Sequence, residues 1–186
     1  MLRVTSLLLA TVLAGTMPAG APLQHRTLRV GVLTRRYDLV VPVHVDVHPA
    51  LVIVLHGLGS TANDMERYVR FEAASGNSAV VVYPQGIRRR WNDARGTDIK
   101  GPDDIAFLRA IVTTIQARYH IDANRVFLTG MSNGGMMTLT AACEMPQITA
   151  VAAVVASLPA SLQKTCAPQH PVSLFLIVGD ADPIVP

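Results

Sequence analysis

The sequence predicts an α/β fold, a mostly parallel β-sheet with helices flanking it. Three observations carry that expectation. Unbroken apolar runs of strand length recur along the chain, each stopping at or near a glycine. Segments with apolar residues at spacings of three and four stand between them. The chain has 186 residues, half of them hydrophobic, which is material for one domain and too little for two ordinary ones. Aromatic residues make up only 5%, so the core is expected to be mainly Val, Leu, Ile and Ala.

The first stretch, MLRVTSLLLATVLAGTMPAGAP, has Arg3, an apolar run to Met17, Pro18, and then small residues. That is the shape of a secretory signal peptide with an A-x-A-like site at Ala19-Gly20-Ala21. Residues 1–21 are therefore read as a leader and residues 22–186 as the domain. Pro22 directly after the site disfavours cleavage there, so the position of the cut stays open. The apolar run is shorter than the ~20 residues that span a bilayer, and no cysteine follows it to carry a lipid. Export to the medium or the periplasm is expected, with no membrane association after cleavage; an uncleaved anchor is the other reading.

HRTLRVGVLTRRYDLVVP reads as two short strands with a turn near Thr34-Arg35-Arg36. In VPVHVDVHPA, Val43, Val45 and Val47 alternate with His44, Asp46 and His48. His-x-Asp-x-His on one strand face could hold a metal. No third, distant ligand is suggested, and an exposed strand or loop accounts for the same pattern, so no metal is expected.

LVIVLHG, SAVVVYPQG at 78–86, RVFLTG at 125–130 and VSLFLIVGD at 172–180 read as strands buried on both faces. DDIAFLRAIVTTIQARY places Ile105, Leu108, Ile111, Val112 and Ile115 on one helical stripe. Asp103 and Asp104 fall in its first turn, where they complement the helix dipole and read as caps. A further helix is expected just after Ser132, through GGMMTLTAAC.

The formal net charge is +3. Arg88-Arg89-Arg90 has no second basic block or aromatic series beside it, and reads as a solvated loop rather than a nucleic-acid surface. Cys143 and Cys166, 23 positions apart, are the only cysteines. In an exported protein they could form a bridge contributing on the order of 3 kcal/mol; two buried free thiols are the alternative. There is no CxxC and no cysteine cluster for zinc.

The chemistry concentrates at Gly130-Met131-Ser132-Asn133-Gly134, a G-x-S-x-G that follows a predicted buried strand and opens a predicted helix. A strand that turns sharply into a helix with serine at its apex needs neighbours without Cβ. The helix start then aims free N–H groups at the place where an oxyanion would develop. In that context Ser132 reads as a nucleophile rather than part of an ordinary glycine-rich turn.

LHGLGSTAND, residues 55–64, ends another buried strand in His-Gly and could supply a second oxyanion N–H, from Leu58. His56 is read as structural, since such enzymes use backbone at that position. In IVGDADPIVP a carboxylate follows a strand, as the chain order Ser, Asp/Glu, His requires. Asp182 is the choice and Asp180 the alternate, against a plain turn of Asp, Gly and Pro.

LVIVLHGLGSTANDM, VVVYPQGIRRRWND, DDIAFLRAIV, RVFLTGMSNGGMM and GDADPIVP together resemble the poly(3-hydroxybutyrate) depolymerase and feruloyl esterase group of secreted α/β-hydrolases, relatives of the carbohydrate esterases. The resemblance runs from about Arg26 to Pro186, with GMSNGGMM and ADPIVP its specific parts. It implies Ser132 as nucleophile, the Leu58 and Asn133 backbone N–H groups as oxyanion hole, and Asp182 as triad acid. It also implies that Cys143 pairs with Cys166, and that Trp91 and Asn92 lie near the substrate cleft. A surface-loop anchor is the other reading of Trp91. The expected partner is an ester substrate, with no cofactor.

In that group the histidine follows the acid, beyond one more strand. Here the six histidines, at 25, 44, 48, 56, 120 and 170, all precede Asp182. The chain therefore reads as an α/β-hydrolase lacking the last strand and helix, with VSLFLIV left as an apolar edge. A triad without one member keeps about 10³–10⁴-fold over water, so an impaired relic or a binding module stands beside the esterase reading.

Overall fold

A computed structural model describes residues 21–95 and 101–183; apart from Ala21, the predicted leader lies outside the described residues. The element order is β1 Leu23–Val30, β2 Leu33–Val40, β3 Ala50–Leu55, α1 Ala62–Val69, α2 Phe71–Ser75, β4 Ala79–Pro84, α3 Asp104–Tyr119, β5 Val126–Met131, α4 Asn133–Glu144, β6 Ala150–Val154 and β7 Ser173–Ile177. The short 3₁₀ turns Ile87–Arg89 and Ala160–Leu162 complete it.

Among the described residues the strands form one seven-stranded sheet in the order β1-β2-β4-β3-β5-β6-β7. β1 and β2 form an antiparallel hairpin, and β2 joins β4 antiparallel. All the later pairings are parallel. A parallel pairing requires a crossover; α-helices supply it up to β6, and the connection from β6 to β7 carries only the 3₁₀ turn Ala160–Leu162. α3 packs with Leu51, Ile53, Leu55, Val80, Val82 and Leu128 in the main core, while α1 covers Val40, Val54, Val81 and Tyr83 in a second cluster. β3 and β4 are therefore covered on both faces, as their unbroken apolar sequences require.

Three local expectations are corrected. The first hairpin turns at Gly31 and Val32, where Gly31 has φ +57, and not at Thr34–Arg36, which lie inside β2. Glycine is the residue that adopts a positive φ without steric cost. His44, Asp46 and His48 lie on a loop rather than a strand, with Val43 and Val47 exposed. No group of three His, Cys, Asp or Glu among the described residues is placed to hold a metal. Asp103 caps α3, accepting from the Ala106 N–H at 2.8 Å, but Asp104 points inward and pairs with Arg35.

The sequence reading also passed over β6. Its Ala-Val-Ala-Ala-Val carries weak strand propensity, and its place is set by pairing with β5 and β7 on either side. Cys143, near the end of α4, is bonded to Cys166. Among the described residues β7 pairs with β6 alone, and Leu174, Phe175, Leu176, Ile177 and Val178 on or beside it are 45–63% exposed.

Candidate active site

The parallel register aligns the ends of three strands. Met131 pairs with Val154, and Val154 with Ile177. Ser132 thus stands one residue past the end of β5, and Asp182 five past the end of β7, on loops leaving the same edge of the sheet. The Ser132 N–H is held by the Val154 carbonyl at 2.9 Å, and the Val155 N–H by the Ile177 carbonyl at 2.7 Å.

Ser132 has φ 53° and ψ −123°, a conformation costly for a residue with a Cβ. The surroundings over-determine it. A Cβ at Gly130 would lie 2.5 Å from the Gly134 carbonyl oxygen, and one at Gly134 would lie 2.5 Å from that of His56. β5 and α4 therefore touch backbone to backbone at the turn, and α4 approaches the end of β3 just as closely. Gly57 lies beside the turn: a Cβ there would sit 3.7 Å from Ser132 Cβ. This brings the loop carrying Leu58 against the serine. The Asn133 N–H, in the first turn of α4, has no carbonyl of its own helix to reach.

His56 is completely buried. Its Nδ1 lies 2.8 Å from the Gly57 carbonyl oxygen, and its Nε2 accepts the Gly86 N–H at 3.0 Å, with Gln85 Nε2 at 3.2 Å. Those partners fix the Nδ1–H tautomer. Burial, the largest cause, pushes its pKa below the usual histidine range, so the ring is neutral. Both nitrogens are occupied by backbone, which matches a structural role.

Of the other histidines, His25 on β1 is level with Tyr83 near the end of β4, at this same edge but four strands from β5, and pairs with Asp38 at 2.6 Å. His44 and His48 precede β3, and His120 caps the C-terminus of α3. His170 precedes β7, its Nε2 against the Pro146 carbonyl at the far end of the sheet.

Trp91 is completely buried, its Nε1 donating to the His56 carbonyl at 2.8 Å and its ring 5.0 Å from the imidazole. It anchors its loop from beneath. The Asn92 N–H is bound by Asp104 at 2.7 Å, and its half-buried side chain donates toward the Pro102 carbonyl. Sequence reasoning missed Asp93 and the side chain of Asn133, both buried here and bonded to each other. Their signal was WND itself: a carboxylate beside a buried tryptophan has to find a partner inside.

Residues 38–186 match the Phospholipase/Carboxylesterase family. NocK of Nocardia uniformis subsp. tsuyamanensis, assigned by name to the esterases, is 37% identical over 141 residues, which are 73% of this chain and 41% of that protein. Feruloyl esterase B of Neurospora crassa is 33% identical over 114 residues, 58% of this chain and 39% of that one. Poly(3-hydroxyalkanoate) depolymerase C of Paucimonas lemoignei is 30% identical over 125 residues, 64% and 30% respectively. The chain spans less than half the length of each of these relatives.

Among solved structures, a thermostable esterase gives a TM-score of 0.69 at 22% identity, covering 88% of this chain and 48% of that one. The acetyl xylan esterase from Aspergillus awamori gives 0.60 at 22%, covering 71% and 51%. Those likenesses establish the α/β-hydrolase fold. With its residues 38–186 matching throughout, the chain belongs to the Phospholipase/Carboxylesterase family.

Proposed function

We propose that this protein is an exported serine esterase that hydrolyses carboxylic esters through an acyl-enzyme on Ser132. The observation that carries the reading is the backbone of Ser132, held at φ 53° and ψ −123° between a strand and a helix. Strain of this kind persists where the surroundings over-determine it, and it clusters at reacting groups.

In the reaction, Ser132 Oγ attacks the ester carbonyl carbon as a base takes its proton. The carbonyl oxygen becomes an oxyanion facing the Leu58 and Asn133 N–H groups. Collapse expels the alcohol, which receives the proton, and water then releases the acid by the same steps in reverse order. Asp182 orients and charge-stabilises the base.

His56, beside the elbow, has both ring nitrogens engaged and is not read as that base. The esters are of polyhydroxyalkanoate type, or feruloyl or acetyl groups on polysaccharide; the names of the relatives support that range. Residues 1–21 serve as the export signal. The Cys143–Cys166 bridge fits that destination, and no described helix is long and apolar enough to cross a membrane.

The test is fluorophosphonate labelling of the native protein, followed by peptide mapping. Label on Ser132, with ester hydrolysis lost in Ser132→Ala, is the expected result. Label elsewhere, or undiminished hydrolysis in Ser132→Ala, overturns the reading.

A further inference from the structure

Asn133 does more than offer its backbone. Its side chain is 3% exposed and makes three hydrogen bonds to one loop. Oδ1 accepts the Trp91 N–H at 2.7 Å, and Nδ2 donates to the Trp91 carbonyl at 3.0 Å and to Asp93 Oδ2 at 2.5 Å. The carboxamide thus pairs with Trp91 as a neighbouring strand would, and its remaining N–H goes to a carboxylate.

Asp93 is 5% exposed and is fixed in turn. Its carboxylate accepts from Arg95 Nε at 2.8 Å, and its carbonyl accepts from Thr140 Oγ1 at 3.2 Å, one helix face along from Asn133. The same loop is pinned to the end of β3 by Trp91 Nε1 on the His56 carbonyl. The loop therefore joins the residue after Ser132 to the strand that carries Leu58, the two sources of the oxyanion N–H groups.

We propose that Asn133 and Asp93 form a positioning couple, in which the buried carboxylate holds the Asn133 carboxamide and thereby aims the Asn133 N–H at the developing oxyanion. This rests on the serine esterase reading. The chemistry of the couple is specific: it needs one donor and one acceptor. Two carboxylates at 2.5 Å cannot both be ionised and share one proton, so Asn133→Asp keeps the shape, gives up the bond to the Trp91 carbonyl and makes the bond to Asp93 depend on that proton. A donor lost from an oxyanion hole costs about 10²–10³-fold in kcat.

The experiment follows hydrolysis of 4-nitrophenyl acetate, and the rate of fluorophosphonate labelling, in the native full-length protein and four variants: Ser132→Ala, Asp93→Asn, Asn133→Asp and the double variant Asn133→Asp/Asp93→Asn. Asn133→Asp is expected to lose about 100-fold in kcat above neutral pH with little change in KM, and to regain about tenfold as acid restores the shared proton. The double variant, which again pairs a donor with an acceptor between positions 93 and 133 though not with the Trp91 carbonyl, is expected to exceed Asn133→Asp by about tenfold at alkaline pH while staying below the wild type.

An Asn133→Asp pH profile parallel to the wild type, or a change in KM alone, overturns the couple. If Asn133→Asp does not fold, Asp93→Asn decides: a loss of about tenfold in kcat supports the couple and wild-type kcat overturns it. Ser132→Ala separates the two levels. If it is inactive while the other variants behave as wild type, the couple alone fails. If it stays active, or the wild type takes no label, the serine reading fails and the couple with it.

Discussion

Arg35 and Asp104 form an ion pair at 2.6 Å between β2 and the first turn of α3, with side chains 1% and 0% exposed. Asp104 also accepts the Asn92 N–H, and the Arg35 guanidinium lies 4.1 Å over the Phe107 ring. The pair sets the height of α3 against the sheet and the entry of the Trp91 loop. Arg35 Nε finds no partner within the described residues, so the arginine is incompletely satisfied even when paired.

Removing one partner should therefore be far worse than removing both. Asp104→Ala is expected to cost about 3–5 kcal/mol, because it strands a buried guanidinium. Arg35→Met/Asp104→Leu is expected to recover most of that in urea unfolding. The pH dependence has a definite sign. Burial, the largest cause, raises the Asp104 pKa despite the Asn92 N–H and Arg35. The folded state then holds the proton to higher pH than the unfolded chain, so this group's contribution falls as pH rises from about 3.9 through the folded value. Asp104→Asn should abolish that slope; an unchanged slope would assign it to another carboxyl.

Gly134 and Gly57 flank the serine, and the space around them differs. A Cβ at Gly134 collides with two backbone oxygens, at 2.5 and 2.6 Å, whereas one at Gly57 meets its nearest atom at 3.5 Å. Backbone cannot give way as a side-chain end can. Gly134→Ala is expected to cost about 3 kcal/mol or more in thermal unfolding. Gly57→Ala should stay within about 1 kcal/mol of wild type while its new methyl crowds the serine and slows acylation. Equal stability losses would show that the elbow is looser than these contacts require.

His56 makes the site acid-sensitive. Its pKa is lowered mainly by burial, and its Nε2 must stay unprotonated to accept from Gly86. A depressed folded pKa means the stabilisation is fully present above the unfolded value of about 6.5, and is lost as pH falls through the folded value. Because Nδ1 also orients the Gly57 carbonyl, it orients the Leu58 N–H on the far side of the same peptide. His56→Gln should remove this acid-side slope from the stability profile, at a cost of about 1–3 kcal/mol near neutral pH. Chemical denaturation across pH 5–8 measures both, and a retained slope in His56→Gln would count against the assignment.

Much of this architecture was legible because its signals are local. β3, β4, β5 and β7 are apolar runs that end at glycine, and Ser132 sits between glycines whose missing Cβ atoms are what the turn requires. The missed features depend on distant partners. Alanine-rich β6 is a strand because β5 and β7 flank it. Asp104 read as a helix cap because nothing nearby in sequence announces Arg35, 69 positions away. The Asn133 side chain was overlooked for the same reason, since its partners lie 40 and 42 positions upstream.

β7 carries the last consequence. Both of its faces are exposed, with Phe175 at 63% and Leu174 at 58%, and its outer edge is unpaired among the described residues. A long, flat, apolar edge is a template for pairing with another chain. A polypeptide of residues 22–186 is therefore expected to self-associate at micromolar concentration, with Phe175→Lys or Leu176→Lys shifting it toward monomer by about tenfold in concentration. Lysine on an edge strand opposes pairing through charge while leaving the β6–β7 hydrogen bonds in place. Sedimentation velocity over a concentration series reads the shift directly. Because Ser132 is two strands away, the lysine variants should keep their rate of fluorophosphonate labelling. Association unaffected by either lysine would move the contact to another face of the molecule.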